Sequence, residues 1–172
     1  MVLAESRIFS LEQAADEDVD TITALFNSNP EFLHGHLGLD AINYAWIIAQ
    51  QTQMREQHFV TAKLVERASG KVVGYCEYRH GETAYLSMFL MEGGIQGRLL
   101  GTAAYEMLEH YLFDNGSKAA RIDVVFGYEG DTVSFWQKRG FSTMQDIKIN
   151  WGRKILDAHV MVKLLKEPEA EG

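Results

Sequence analysis

Hydrophobic spacing along the chain switches between a two-residue and a 3.6-residue period, and the clearest switch falls between Ala84 and Asn115. Residues 85–91 are an apolar run of strand length, followed by the turn residues Gly93, Gly94 and Gly97. From Leu100 the period is helical. Leu100, Ala103, Ala104, Met107, Leu108, Tyr111 and Leu112 form one stripe, while Glu106, Glu109 and His110 take the opposite face. A strand, a glycine turn and a helix in direct succession leave the first N–H groups of the helix unpaired at its positive end. That arrangement suits a phosphate.

The other elements follow from the same patterns. Residues 7–13 predict a strand after a short leader, and Asp16, Glu17 and Asp18 suit the start of a helix striped by Val19, Ile22 and Phe26. Asn27, Ser28, Asn29 and Pro30 interrupt that helix. Residues 31–38 then read as a loop or broken turn with apolar anchors, the kind of segment that carries specificity, and Phe32, His34 and His36 are its candidate substrate-contacting residues. Asp40 predicts the cap of a second helix with Ile42, Ala45, Trp46, Ala49 and Gln53 along one face. Strands at 58–66 and 71–78 join in a hairpin through Ala68, Ser69 and Gly70. Beyond the long helix, which Asn115 and Gly116 stop, residues 121–126 predict a strand parallel to 85–91, and Asp131 opens a short helix that Gly140 ends. Residues 142–149 and 154–165 are the final strands, joined by the turn 150–153. The total is one α+β domain over 1–165 with seven strands and about four helices, and an acidic tail at 166–172 expected to be mobile.

Composition narrows the partners. A formal charge of −8 disfavours nucleic acid and anionic membrane surfaces as main partners and suits a cationic one. A single cysteine, Cys76, forms no internal disulfide and no zinc pattern, so no metal is expected. His34 and His36 lack a third ligand nearby and read as loop or pocket-wall residues. With no secretory segment and no apolar run of eighteen, a cytoplasmic location is expected.

Two motifs carry a resemblance. Gln96-Gly97-Arg98-Leu99-Leu100-Gly101 resembles the pyrophosphate loop of the GNAT acyltransferase superfamily, whose pattern is Arg or Gln, two residues, Gly, one residue, then Gly or Ala. Leu99 stands in the slot of the first family glycine. Phe135-Trp136-Gln137-Lys138-Arg139-Gly140-Phe141 resembles the family's second segment, a short helix beside the coenzyme that ends at a glycine. The order β-α-α-β-β-β-α-β-α-β-β is similar to the GNAT order along nearly the whole chain. A dinucleotide-binding reading of Gly94, Gly97 and Gly101, with Glu129 as ribose carboxylate, conflicts with the three antiparallel strands before the turn and the hairpin at the end.

The resemblance implies a mostly antiparallel sheet that splays between its fourth and fifth strands to admit acyl-coenzyme A. It implies transfer of an acyl group, most simply acetyl from acetyl-CoA, to a primary amine of a small molecule or a protein, by direct attack. Phe89, Leu90 and Met91 would pair with pantetheine, the backbone of Gln96, Gly97, Arg98, Leu99, Leu100, Gly101 and Thr102 would hold pyrophosphate, and Phe135 and Trp136 would flank the coenzyme. Trp136 occupies the slot of a family tyrosine that acts as an acid. An indole N–H donates a hydrogen bond and gives up no useful proton, so Trp136 is expected to shape the pocket or fill the core. Candidate proton acceptors are Tyr85 and Ser87, placed by strand alternation on one side with Phe89 and Met91, and Glu77 and Asp123 on adjacent strands. Tyr128 and Glu129 follow the fifth strand. The family often forms dimers. The competing reading is a non-catalytic acyl-CoA-binding or regulatory module on the same fold.

Overall fold

The computed structural model of the chain describes residues 1–95, 99–151 and 154–169. Eight strands form one sheet in the order β1-β2-β3-β4-β5-β6-β8-β7. These are β1 (Val2–Glu5), β2 (Phe9–Gln13), β3 (Val60–Glu66), β4 (Val72–Arg79), β5 (Thr83–Met91), β6 (Ala119–Val125), β7 (Ser142–Trp151) and β8 (Lys154–Leu164). The helices are α1 (Val19–Asn27), a short α2 (Pro30–Phe32), α3 (Tyr44–Glu56), α4 (Leu100–Asp114) and α5 (Val133–Lys138). All neighbouring strands pair antiparallel except β5 and β6. The crossover between those two is α4, as a parallel connection requires. The α+β expectation holds, with one strand more than predicted. The supposed leader pairs with β2 as Val2↔Glu12, Ala4↔Leu11 and Glu5↔Ser10. Ser6 makes the turn, its hydroxyl accepting from the Phe9 N–H at 3.1 Å.

Two apolar layers sandwich the sheet. One joins it to α4 and α5 through Leu64, Cys76, Leu86, Tyr105, Leu108 and Trp136; the other joins it to α1 and α3 through Phe26, Ile47, Tyr75, Met88 and Leu90. The α4 stripe lies against the sheet as predicted, and Gly116 leaves the helix with φ +96°. Cys76 is fully buried in the first layer. The α3 expectation needs correction. Asn43, not Asp40, caps it by accepting from the Trp46 N–H at 3.0 Å, which rotates the buried face to Ile47, Gln51 and Met54. Asp40 instead meets His34 at 3.0 Å. Residues 31–38 take the broken-turn form: Pro30–Phe32 continues into a π-turn at Leu33–Leu37, ended by Gly38 in the left-handed region.

A bulge corrects the predicted alternation of β5. Glu77 pairs with Met88 and Tyr78 with Leu86, so Ser87 has no opposite residue. Residues before and after it therefore swap faces. Tyr85 points toward Phe59 on one side, while Phe89 packs on Tyr105 and Trp136 on the other.

The end of β5 is tied to the end of α1. Asn29 Nδ2 donates to the Met91 carbonyl at 3.0 Å, and the Gly93 N–H donates to Ser28 Oγ at 3.0 Å. A Cβ on Gly93 would overlap the Ser28 carbonyl oxygen, a backbone atom with little room to move. Gly93→Ala should therefore cost about 2 kcal/mol, in the range of overpacked cores, measured by urea unfolding. An unchanged midpoint would show that this contact yields freely.

Candidate active site

β5 and β6 pair over four residue pairs, Thr83↔Ala119 to Leu86↔Ile122, and then part. β5 stays with β4, and β6 follows β8 through Asp123↔Val160 and Val125↔Ala158. The bulge at Ser87 sits where the parting begins, bending β5 away from its parallel neighbour. A cleft of about 300 Å³ fills the gap, with Ser87, Phe89 and Leu90 on one wall and Ile122, Asp123 and Val125 on the other. Trp136 closes its inner end. Its indole is 3% exposed and meets Tyr105, Phe135 and Phe141 at centroid distances of 5.2, 4.9 and 5.4 Å. Trp136 is thus packed in the core and also lines the cleft.

The polar groups around the cleft are mostly committed. Asp123 accepts from Arg121 through both oxygens at 2.9 Å and from the Tyr85 hydroxyl at 2.8 Å. Charge-assisted bonds of this kind hold the carboxylate in place. Burial, with the bond to Asp123 adding to it, pushes the Tyr85 hydroxyl up to about 12, so it stays neutral at physiological pH. Tyr85 does not line the cleft, although it braces a residue that does. Phe32 and His36 lie on the wall; His34 faces an outer depression instead. Sequence reasoning passed over Glu31 and Thr132 and left Trp151 outside the site. All three line the cleft. The run Pro30-Glu31-Phe32 was the available signal, because a proline at the start of a helical turn aims the next residues at a fixed angle.

The glycine turn leads from β5 into α4. Gln96, Gly97 and Arg98 lie outside the described residues. Leu99 stands just before α4 with φ +61° and is 79% exposed. It thus adopts the left-handed conformation a glycine would take there, at a cost of about 1–2 kcal/mol for a side-chain-bearing residue. The side chain points to solvent and leaves the N–H groups of Leu100, Gly101 and Thr102 unobstructed by it. Gly101 packs beside Met91 and Phe135, and Arg139 from the end of α5 reaches the Thr102 hydroxyl. An acyl-coenzyme A fits this frame: an unpaired β5 edge for amides, a fifteen-residue helix N-terminus for phosphate, and a cation beside it.

The sequence pattern that describes the Acetyltransferase (GNAT) family matches residues 19–141. The chain belongs to that family. Its fold is that of solved GNAT proteins. An acetyltransferase from Thermus thermophilus superposes with a TM-score of 0.73 at 23% identity, covering 92% of this chain and 97% of that one. A Salmonella typhimurium acetyltransferase that modifies the N-terminal serine of the 50S ribosomal subunit protein L7/L12 gives 0.78 at 12% identity, over 96% and 100%. YncA of Salmonella typhimurium, solved with its cofactor acetyl-CoA, gives 0.62 at 17% identity, over 95% and 98%. No curated protein sequence matches the chain. Among the described residues no helix is long and apolar enough to cross a membrane.

Glu77 lies behind the cleft, not on it. Its carboxyl is fully buried on the α3 side of β4, 3.3 and 3.4 Å from the Gln50 amide nitrogen. Burial pushes its pKa from 4.5 up to about 7, against the pull of the Tyr75 hydroxyl and the Gln50 amide. The Tyr75 hydroxyl nonetheless closes no hydrogen bond among the described residues, so solvation of this carboxyl is meagre. An acid whose folded pKa is raised binds its proton more tightly in the native state, so stability is full below pH 4.5 and falls as pH rises through 7. Glu77→Gln should remove that loss. We expect it to match the wild type near pH 5 and to exceed it by about 2 to 3 kcal/mol at pH 8, by urea unfolding. Parallel pH profiles for the two proteins would overturn this account of Glu77.

Proposed function

We propose that the chain is an N-acetyltransferase that moves acetyl from acetyl-CoA to a primary amine by direct attack. The parting of β5 and β6 carries this reading. It leaves Ser87, Met88, Phe89 and Leu90 without a β6 partner along a cleft that they line. Their backbone groups pair with the pantetheine amides, and the N–H groups through Thr102 hold the pyrophosphate, with Arg139 beside them. The thioester supplies an acyl carbon; a C–N bond forms, the C–S bond breaks, and the proton shed by nitrogen ends on the sulfur or in solvent.

The residues on the cleft position more than they transfer. Asp123 is held by Arg121 and Tyr85, and Ser87 is no base at neutral pH. The amine therefore loses its proton to water, and the departing sulfur takes one without a side-chain acid. Trp136 is consistent with that route, because its ring packs the inner end of the cleft. Trp136→Phe should keep the fold and most turnover, since packing area survives. Trp136→Tyr should bring no gain. A tenfold rise in rate with a new high-pH limb, about 1.4 kcal/mol of barrier, would show that an acid had been missing.

A non-catalytic acyl-CoA-binding module is the second reading, favoured by Trp136 in the acid position. Calorimetric titration with acetyl-CoA, followed by thiol release across a panel of amines, decides between them. We expect binding and amine-dependent release. Binding with no release supports the module, and absence of binding removes both readings.

A further inference from the structure

Four aromatic rings from three separate segments meet on the outer wall of the cleft, and His36 is their hub. Phe32 lies 4.5 Å from it between centroids, and Tyr128 and Trp151 meet it nearly perpendicularly at 5.6 and 6.1 Å. Tyr128 Oη is 3.3 Å from His36 Nδ1. The wall needs the glycine between the two histidines, because a Cβ at Gly35 would sit 2.6 Å from the Tyr128 ring. The π-turn brings this about. It carries Phe32, Gly35 and His36 to face the segment after β6, while Trp151 arrives from the end of β7.

The described charged residues lining the cleft are both acidic, although a lysine stands nearby. None of the described residues lining the cleft is Lys or Arg, and Glu31 and Asp123 both line it, the latter neutralised by Arg121. Outside, the depression that shares Glu31 and Tyr128 with the cleft adds Glu129 and Asp157 against a single ammonium, Lys154, which donates to the His34 carbonyl at 3.1 Å. Asp157 is further paired with Lys148. Burial, helped by the nearby Lys154 charge, pushes the His36 pKa down to about 4, so the hub adds no positive charge at neutral pH. An anionic acceptor would meet Glu31 with no cation among the described residues of the cleft wall to answer it. A cation would find ring faces and carboxylates.

Resting on the transferase reading above, we infer that the acceptor is a small cationic amine with an aromatic body, an arylalkylamine in chemical class, whose ring lies on the Phe32–His36–Tyr128–Trp151 wall. The cleft's volume of about 300 Å³ is shared with the acyl end of the coenzyme, which leaves space for a ring-sized body and little for a peptide chain. Glu31 on the cleft and Glu129 in the adjoining depression draw the ammonium form inward, and the rings hold the apolar part.

The test is a calorimetric titration with 2-phenylethylamine, propylamine, phenylacetate and a tripeptide with a free N-terminus, made on the protein alone and again with saturating coenzyme A. We expect 2-phenylethylamine to bind at least tenfold more tightly than propylamine or the peptide, with no binding of phenylacetate. Trp151→Leu and Phe32→Leu should each cut the preference over propylamine at least fivefold and change coenzyme A affinity less than twofold. Two variants on different segments guard against one failing to fold. Equal affinities for the two amines, tighter binding of the peptide, or a preference that survives both substitutions would overturn the inference. Failure of coenzyme A to bind counts against the transferase reading alone, because the ranking of amines is read on the protein without it.

Discussion

A parallel strand pair that runs out after four residue pairs is the constraint on which this molecule is built. Each of β5 and β6 keeps an antiparallel partner on its far side, so the sheet stays whole while its centre opens. The opening exposes backbone polar groups that have no ladder partner, a cost that most folds avoid. Here the gap is supported from both layers. Trp136 and Tyr105 pack beneath Phe89 on one side, and Met88 and Leu90 are held by the α1 layer on the other. A cleft of this kind is a rigid feature of the core, bounded by buried side chains, and its width follows from packing.

The arm formed by residues 28–38 gives the opening its second boundary. Its root is fixed by Asn29 on the Met91 carbonyl and by Ser28 on the Gly93 N–H, and at its far end the Tyr128 ring packs close against Gly35. Glu31 packs over Gly130 between these two points. Two glycines thus face side chains from the opposite partner, and a third faces backbone. Each permits an approach that any larger residue would prevent. The arm and the segment after β6 consequently behave as one wall across the cleft, although they lie far apart in the chain.

Much of this was legible in the sequence, for identifiable reasons. The α4 stripe, the β3–β4 hairpin at Gly70 and the Gly140 stop depend on local periodicity and on glycine at positive φ, and they stand where the pattern puts them. What escaped depended on partners. β1 is four residues long, too short for a period, and is a strand because β2 offers an edge. The Ser87 bulge is a mismatch in count between β4 and β5, which neither strand records by itself, and it exchanged the faces of Tyr85 and Phe89. Asp40 and Asn43 are both good caps, and the contact of Asp40 with His34 separates them. The candidate site divides in the same way. Phe32, His36, Phe89, Leu90, Trp136 and Asp123 come together on the cleft, whereas Glu77 and Tyr85 are turned away from it. Direction in a strand is lost after one unpaired residue, and no composition argument restores it.

The solitary Cys76 has a use that its burial confers. It sits in the middle of β4, fully enclosed, and the low-dielectric surroundings, with Glu77 adjacent, push its thiol far above the ordinary range. Native protein therefore presents no fast-reacting sulfur to an alkylating or disulfide reagent. Labelling becomes possible when β4 separates from its neighbours, so the rate of modification at this one atom counts openings of the central sheet. The chain carries a built-in clock for its own unfolding, readable by mass in a mixture and with no engineered probe.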